Sequence, residues 1–269
     1  MVLETGHQLK TALCTIAFRE RLLEYSLDVA CEAGFNGVEI WGREPHISEE
    51  YDGNRVAAAR RMVTERGLEV AVFGSYLRFG AIETETMPLR AVLQTAVGLD
   101  TPIIRVWASD VGSAEADEET WHDTVIQCRE GAHAARKMGM RLAVEMHTKT
   151  LADTAESARR LVEDVECENF GLNFQALPRL DDDPAERLNM VLPYVYHLHA
   201  QNYAPLDSSP DKLERVALSD GVIDYAPLIK RLYSNGYDGY VAIEFSPSNT
   251  NDKREAMLRD CQYLQSIQG

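Results

Sequence analysis

The sequence predicts a closed barrel of alternating strands and helices, a (β/α)8 architecture, formed by one domain over residues 1–269. Short apolar runs alternate with longer amphipathic stretches along the chain, and about eight such units in about 250 residues is the expected size of this barrel. The apolar runs have no polar face, which is typical of parallel strands covered by helices. An open, doubly wound sheet is the alternative. It usually carries a glycine-rich phosphate turn, and the sequence has no GxGxxG or GxxxxGK[ST].

The elements follow one another in a regular order. The candidate strands are TALCTIAF, GVEIWG, LEVAVFGSY, PIIRVWAS, RLAVEMH, FGLNFQA, VYHLHAQNY and GYVAIEF. Helical periodicity runs through the stretches LLEYSLDVACEAG, NRVAAARRMVTERG, TWHDTVIQCREGAHAARKMG, TAESARRLVEDV, PAERLNMVLP and DYAPLIKRLYSNG. Left-handed C-terminal caps are expected at the glycines that precede the next strand, namely Gly34, Gly67, Gly139 and Gly236. No linker or low-complexity segment divides the chain, so we expect a single domain.

Composition and charge restrict the class of function. A formal net charge of −16 argues against binding to nucleic-acid backbones or anionic membranes, because both require clustered Lys and Arg. Five widely spaced cysteines without a CxxC pair indicate reduced thiols rather than disulfides or a zinc finger. There is no signal-like start and no apolar run long enough to span a membrane. These features predict a cytoplasmic protein with a small-molecule partner.

Polar side chains stand at the ends of the candidate strands. They alternate with apolar neighbours, so the polar members of one strand share a face, and in a barrel the carboxyl ends of all strands meet at one mouth. The remaining histidines that precede position 145 are expected at the surface. The strand-end residues are Glu39, Trp41, Tyr76, Arg78, Arg105, Trp107, Glu145, His147, Asn173, Gln175, His197, His199, Gln201 and Glu244, and the surface histidines are His7, His46, His122 and His133.

A buried carboxylate requires a partner. A divalent cation bound at the barrel mouth would be a common partner for several carboxylates there. Glu145, Gln175, His199 and Glu244 come from the last four candidate strands. They form a mixed oxygen and nitrogen set suited to Mn²⁺, Mg²⁺, Co²⁺ or Zn²⁺. Such an ion could hold two oxygens of a polyol or hydroxy-ketone and assist removal of a proton beside the carbonyl.

The chain resembles the xylose-isomerase-like TIM-barrel superfamily of sugar isomerases, epimerases and related lyases. The resemblance rests on HLHAQNY and GVIDYAPLIKRLYSNGYDGYVAIEF, whereas LCTIAFRERLLEYSLDVACEAGFNGVEIWGREPH and VEMHTKTLADT are most similar to 3-dehydroshikimate dehydratases. It implies a metal held by Glu145, His199 and Glu244. The chain departs from the family at three positions. Gln175 stands where the family usually has aspartate, Pro178 where it often has histidine, and Gln201 where it usually has lysine.

The resemblance also implies roles in dehydration of 3-dehydroshikimate to protocatechuate. The resemblance suggests that His147 lies near the transferred protons, and histidine suits acid–base work because its ordinary pKa is close to neutrality. The alternative is that His147 only forms a hydrogen bond to a neighbouring strand. Arg78 and Arg105 could pair with a substrate carboxylate, and either could equally be a structural partner of a glutamate. Tyr76, His197 and Gln201 complete the candidate substrate-binding set.

Two other functions remain open. In a ketose isomerase or epimerase, Glu145 and Glu244 would be catalytic and exchange protons on opposite faces of one carbon. A non-catalytic ligand-binding barrel with a degraded metal site is suggested by Gln175, Pro178 and Gln201. The long stretch NYAPLDSSPDKLERVALSDG after the seventh candidate strand is either a substrate-covering lid or a surface excursion. A homodimer is expected by analogy alone.

Overall fold

Parallel strands close into a barrel, as the sequence predicts. The computed structural model describes residues 9–48, 50–81, 87–177, 183–206, 208–248 and 250–267. In these ranges eight strands follow one another around the barrel, and the last pairs with the first through Leu13 and Ile243. The barrel strands are β1 Lys10–Cys14, β2 Gly37–Trp41, β3 Glu69–Phe79, β4 Ile103–Ala108, β5 Arg141–Glu145, β6 Phe170–Gln175, β7 Val195–Ala200 and β10 Tyr240–Ile243.

Helices cover the outside of the barrel. Their buried faces pack on the outward apolar residues of the strands and form the main core. The glycines expected to cap helices adopt the left-handed conformation, with φ of 80°, 69°, 73° and 85° at Gly34, Gly67, Gly139 and Gly236. The helices are α1 Leu23–Ala33, α2 Gly53–Glu65, α3 Leu89–Leu99, α4 Glu118–Arg136, α5 Ala155–Val165, α6 Pro184–Val191, α7 Tyr225–Ser234 and α8 Lys253–Ser266.

A second, smaller apolar cluster fills the inside of the barrel. Ala12, Ile103, Ala143 and Ala242 belong to it and are essentially inaccessible to solvent. Two residues further along these strands the inward positions become Cys14, Arg105, Glu145 and Glu244, because strand side chains alternate with a period of two. The apolar cluster therefore closes one end of the barrel and leaves a polar layer towards the carboxyl ends.

An antiparallel hairpin follows β7, in the stretch for which a lid or a surface excursion was expected. It consists of β8 Asn202–Leu206 and β9 Ser209–Val216, and Tyr203 pairs with Arg215. The side chain of Asn202 ties its base together, since Nδ2 donates to the carbonyls of Leu218 and Ile223 at 2.8 Å each. The base of the hairpin is thus fixed by hydrogen bonds. Closure of the hairpin over a substrate stays a prediction.

Asp260 of α8 holds the end of this hairpin and should make stability depend on pH. Its Oδ1 accepts from the backbone N–H of Leu218 at 2.9 Å, and burial raises the pKa of the carboxyl to about 6. A folded-state pKa above the unfolded value means that the carboxyl contributes stability below about pH 4, which is lost as the pH rises through about 6. We expect Asp260→Asn, which keeps an acceptor and cannot ionise, to gain on the order of 2 kcal/mol over wild type between about pH 4 and about pH 7.5.

Urea unfolding at both pH values measures this difference. Asp123→Asn, a change at an exposed position on α4, is the control and should follow wild type. If the free energy of unfolding of Asp260→Asn followed the same pH dependence as that of wild type, the raised pKa of Asp260 would be contradicted.

The structure also tests the expected surface positions of the other histidines. His46 was expected at the surface and is buried, because its ring is bonded to Thr15 Oγ1 at 2.8 Å and to the carbonyl of Arg21 at 3.0 Å. His122 and His133 are exposed as expected, and His7 lies outside the described residues. Within the described ranges no helix has the length and apolar character of a membrane span. The domain limits of 1–269 and the homodimer stay predictions.

Candidate metal and substrate site

A layer of buried polar side chains occupies the barrel interior towards the carboxyl ends of the strands. Each of its members is at most 7% exposed. All nine are among the residues that the sequence placed at strand ends, so the structure brings this part of the predicted set together. The members are Glu39, Arg105, Glu145, Asn173, Gln175, His197, His199, Gln201 and Glu244.

Arg105 lies between two carboxylates. Its Nη1 donates to Glu145 Oε2 at 2.6 Å and its Nε to Glu39 Oε1 at 3.3 Å. Burial alone would lower the pKa of Arg105, but Glu145 and Glu39 raise it above its ordinary value. Gly74 makes this packing possible, since a Cβ there would lie 2.6 Å from Glu39 Oε1. The guanidinium is thereby engaged by the protein, and its predicted contact with a substrate stays a prediction.

Glu39 connects the ion pair to both histidines of β7. Its Oε2 accepts from His197 Nε2 at 2.9 Å and from His199 Nε2 at 2.6 Å. Burial would raise the pKa of Glu39, but the two histidines lower it well below its ordinary value. The sequence pattern showed Glu39 at a strand end without indicating this role, because strand pairing alone does not reveal contacts across the barrel.

Glu145, His199 and Glu244 form a group that could hold a metal ion. One ligand atom from each lies within 4.8 Å of the others, and His199 Nδ1 is 3.6 Å from Glu244 Oε1. Burial and the Glu145 charge raise the pKa of Glu244 to about 7. Burial would lower the pKa of His199, but Glu39 and Glu244 raise it to about 9. Without a metal, these side chains share the available protons. A bound cation would replace those protons.

The arrangement around His199 fits a divalent ion. A metal-binding imidazole usually donates its other ring N–H to a carboxylate, which fixes the tautomer. Glu39 on Nε2 does this, and Nδ1, which lies 3.1 Å from Asn173 Nδ2, is the nitrogen that would bind the ion. The donor set of two carboxylates and one imidazole is of the type that Mn²⁺, Mg²⁺, Co²⁺ and Zn²⁺ accept.

Gln175 and Gln201 bridge the two carboxylates of this group. Gln175 Nε2 donates to Glu145 Oε1 at 2.6 Å, and Gln201 Nε2 lies 3.0 Å from Gln175 Oε1 and 2.8 Å from Glu244 Oε2. Gln175 therefore reaches the group, as a ligand at this position must. Pro178 lies outside the described residues.

Glu145 and Glu244 of this group line a cavity of about 340 Å³. His147 lies on its wall, with Nδ1 donating to the carbonyl of Thr148 at 2.9 Å and the Trp107 ring 5.2 Å away between centroids. The lining residues are Ile16, Tyr76, Arg105, Trp107, Glu145, His147, Gln175, Leu177, Gln201, Tyr203, Arg215, Glu244 and Phe245.

The predicted substrate-binding residues divide into two sets. Tyr76, Arg105 and Gln201 line the cavity, whereas His197 and Arg78 are not among its lining residues. His197 is fully buried on Glu39. Arg78 donates to the carbonyl of Ser109 at 2.6 Å and lies 4.7 Å from the Trp107 ring centroid.

Five lining residues were missed by reasoning from the sequence, namely the aliphatic Ile16 and Leu177 and three others. Tyr203 and Arg215 belong to the hairpin, and Phe245 follows Glu244. The hairpin stretch is polar and interrupted by Pro205 and Pro210, so no periodicity indicated that it returns to the barrel mouth. The alternation that marked Glu244 as inward also gave no reason to expect its neighbour on the cavity wall.

Comparison with known proteins defines the family. The model of the xylose isomerase-like TIM barrel family matches residues 27–267. The chain belongs to this family. This xylose isomerase-like barrel is 24% identical over 272 residues to a 3-dehydroshikimate dehydratase from Bacillus anthracis, covering 93% of this chain and 96% of the relative. It is 23% identical to an inosose dehydratase from Clostridium botulinum, covering 91% and 90% of the two chains.

A solved structure gives the same likeness in three dimensions. The probable 3-DHS dehydratase AsbF from Bacillus anthracis, described as involved in petrobactin synthesis, superposes with a TM-score of 0.77 at 21% identity. The match covers 95% of this chain and 98% of that one. At this identity the match shows the shared barrel fold, and the chemistry has to be argued from the site.

Gln175 provides a test of the metal assignment. Gln175→Glu adds a carboxylate at the same chain length, so we expect Mn²⁺ affinity to rise about tenfold or more, because hard cations favour charged oxygen ligands. Without metal, the new carboxylate would face Glu145 and lower the melting temperature. Gln262→Glu, an identical change at an exposed position of α8, should alter neither quantity. Unchanged Mn²⁺ affinity in calorimetric titration of Gln175→Glu would place this side chain outside the coordination sphere.

Proposed function

We propose that this chain is a divalent-metal-dependent lyase that dehydrates a small cyclic hydroxy-ketone, with 3-dehydroshikimate as substrate and protocatechuate as product. The observation that carries the proposal is the convergence of Glu145, His199 and Glu244 beside a cavity that also holds His147. A cavity of about 340 Å³ suits a ligand of one small ring. The similarity to the Bacillus anthracis dehydratase over nearly the whole chain supports the choice of substrate.

Glu145, His199 and Glu244 would hold the metal, with Gln175 Oε1 as a fourth donor. A bound divalent ion supplies Lewis-acid polarisation of the ring carbonyl. Gln201 donates to Glu244 and keeps that carboxylate directed into the group. Glu39 holds His199 through Nε2, so the imidazole needs no reorientation on binding.

His147 is proposed as the acid–base residue. Its Nδ1–H is used by the carbonyl of Thr148, which leaves Nε2 as the nitrogen that accepts a proton. It removes a ring proton that the carbonyl system makes acidic and returns it to the departing hydroxyl group. One water molecule leaves, and tautomerisation of the remaining ring gives the aromatic product.

The experiment is an assay of the purified protein with Mn²⁺ and 3-dehydroshikimate, followed by the ultraviolet absorbance of protocatechuate. Parallel arms use an inosose and a panel of ketoses. We expect turnover of 3-dehydroshikimate that chelators abolish. Turnover of ketoses with no aromatic product would overturn the dehydratase proposal in favour of an isomerase or epimerase. Absence of all turnover, with ligand binding unaffected in a Glu145→Ala, Glu244→Ala variant, would favour a non-catalytic barrel.

A further inference from the structure

Arg215 is placed differently from the other arginines near the cavity. Arg105 also lines the cavity, but its charge is matched by Glu39 and Glu145, and Arg78 is not a lining residue. Arg215 lines the cavity, and within the described part of the chain it forms no ion pair. It is therefore the cavity-lining arginine whose charge no described carboxylate neutralises.

The position of Arg215 is fixed by its surroundings. Its guanidinium carbon lies 4.2 Å from the centroid of Phe245 and 5.8 Å from that of Tyr203. Its backbone carbonyl accepts from Ser248 N at 2.9 Å and from Ser248 Oγ at 3.0 Å. Stacking on an aromatic ring holds a guanidinium without using its N–H donors. The side chain is thus held in place before any ligand binds.

The side chain of Arg215 donates a hydrogen bond to the hydroxyl of Tyr203, but the described residues do not use all of its donors. Its Nε is buried, and no described residue accepts a hydrogen bond from it. A buried polar atom without a partner is unusual and requires an explanation. A carboxylate is the group that matches a guanidinium fork, since it accepts two parallel N–H bonds.

The charges around the cavity call for such a cation. On its wall Glu145 is already paired with Arg105, whereas Glu244 repels an anionic ligand until a metal offsets its charge. Gln201, which also lines the cavity, contributes no charge. An anionic ring would then depend on Arg215 for a counter-charge, whereas a neutral polyol ketone would leave it unpaired.

We propose that Arg215, held on Phe245 by the β8–β9 hairpin, forms an anion subsite that binds the substrate carboxylate and selects carboxylated over neutral hydroxy-ketones. The inference rests on the proposed function, because it assigns a part of the same substrate to a residue outside the metal group. The hairpin becomes the element that determines substrate class.

The test compares two ligands that differ only in the carboxylate. Protocatechuate and catechol are titrated calorimetrically into Mn²⁺-loaded protein. For Arg215→Met we expect protocatechuate affinity to fall about tenfold to a hundredfold, the range for a lost charged hydrogen bond, and catechol affinity to stay within about twofold. Arg215→Lys should be intermediate, since it keeps the charge and loses the fork. Lys212→Met removes the same charge from an exposed position on β9 and should match wild type.

The outcomes separate the two proposals. Wild-type protein that binds neither ligand would overturn the proposed function and the subsite together. Protocatechuate bound equally by wild type and Arg215→Met, or both ligands weakened in parallel, would overturn the subsite alone. If Arg215→Met fails to fold, Arg215→Lys decides, because the subsite requires a loss specific to protocatechuate.

Discussion

Glu145→Gln is expected to lower Mn²⁺ affinity at least about 100-fold and the turnover number by about 10³, since a neutral amide replaces an anionic ligand in a buried site. The same change removes the nearer of two carboxylates from Arg105, at 2.6 Å. Removing one partner of a buried pair leaves an uncompensated charge. Because Glu39 remains and the substituted amide still offers an acceptor, we expect the free energy of unfolding to fall by about 2 kcal/mol rather than by the full range for such a loss.

Calorimetric titration, the protocatechuate assay and urea unfolding measure the three effects. Glu163→Gln is the matched control, because it removes a carboxylate from an exposed pair with Arg159 at 2.9 Å. Pairs of that kind contribute at most about 0.5 kcal/mol. Wild-type Mn²⁺ affinity in Glu145→Gln would show that this carboxylate serves Arg105 alone.

His147→Asn is expected to lower the turnover number by about 10² to 10⁴, the usual contribution of a general acid–base residue. Asparagine can keep the donation to the carbonyl of Thr148, made by Nδ1 at 2.9 Å, so the variant removes Nε2 and little else. Mn²⁺ affinity should not change, since His147 is not a member of the group formed by Glu145, His199 and Glu244.

Product formation and Mn²⁺ titration distinguish the roles. His122→Asn, on the exposed side of α4, should behave as wild type in both. Loss of metal binding in His147→Asn would indicate a ligand rather than a proton carrier. Unchanged turnover would assign the proton transfer to another residue.

The barrel was predictable because strand and helix periods are local properties. The Gly34 and Gly139 caps, with φ of 80° and 73°, follow from the preference of glycine for the left-handed region. The hairpin was not predictable in this way. It is held by Asn202 bonds to residues 218 and 223, which are distant contacts that no local pattern encodes.

The candidate site was predictable as a set of positions and not as a network. Alternation along β5 and β7 places Glu145, His197 and His199 inward, and the structure brings them together. Which carboxylate meets which cation depends on packing across the barrel. For that reason the sequence left open whether Arg105 binds a substrate carboxylate or pairs with a glutamate, and the structure pairs it with Glu39 and Glu145. Arg215 required the hairpin to be known first.

The buried network gives the site two separable parts. Glu39 contacts Arg105 and both histidines of β7. It therefore holds the His199 side chain of the candidate metal group in position. Gln175 and Gln201 link Glu145 to Glu244 at the cavity side. Changes at Glu39 should therefore act through His199, whereas changes at the glutamines should act on the carboxylates directly.

The central claim is that one divalent ion binds Glu145, His199 and Glu244. The most direct measurement is an anomalous difference map from crystals grown with Mn²⁺, recorded at a wavelength where manganese scatters anomalously. The account predicts a single peak within about 2.0 to 2.6 Å of the carboxylate oxygens and of His199 Nδ1, with the Gln175 side-chain oxygen turned towards it. A map without a peak at this position, with Gln175 and Gln201 still bridging the two carboxylates under excess Mn²⁺, would contradict it.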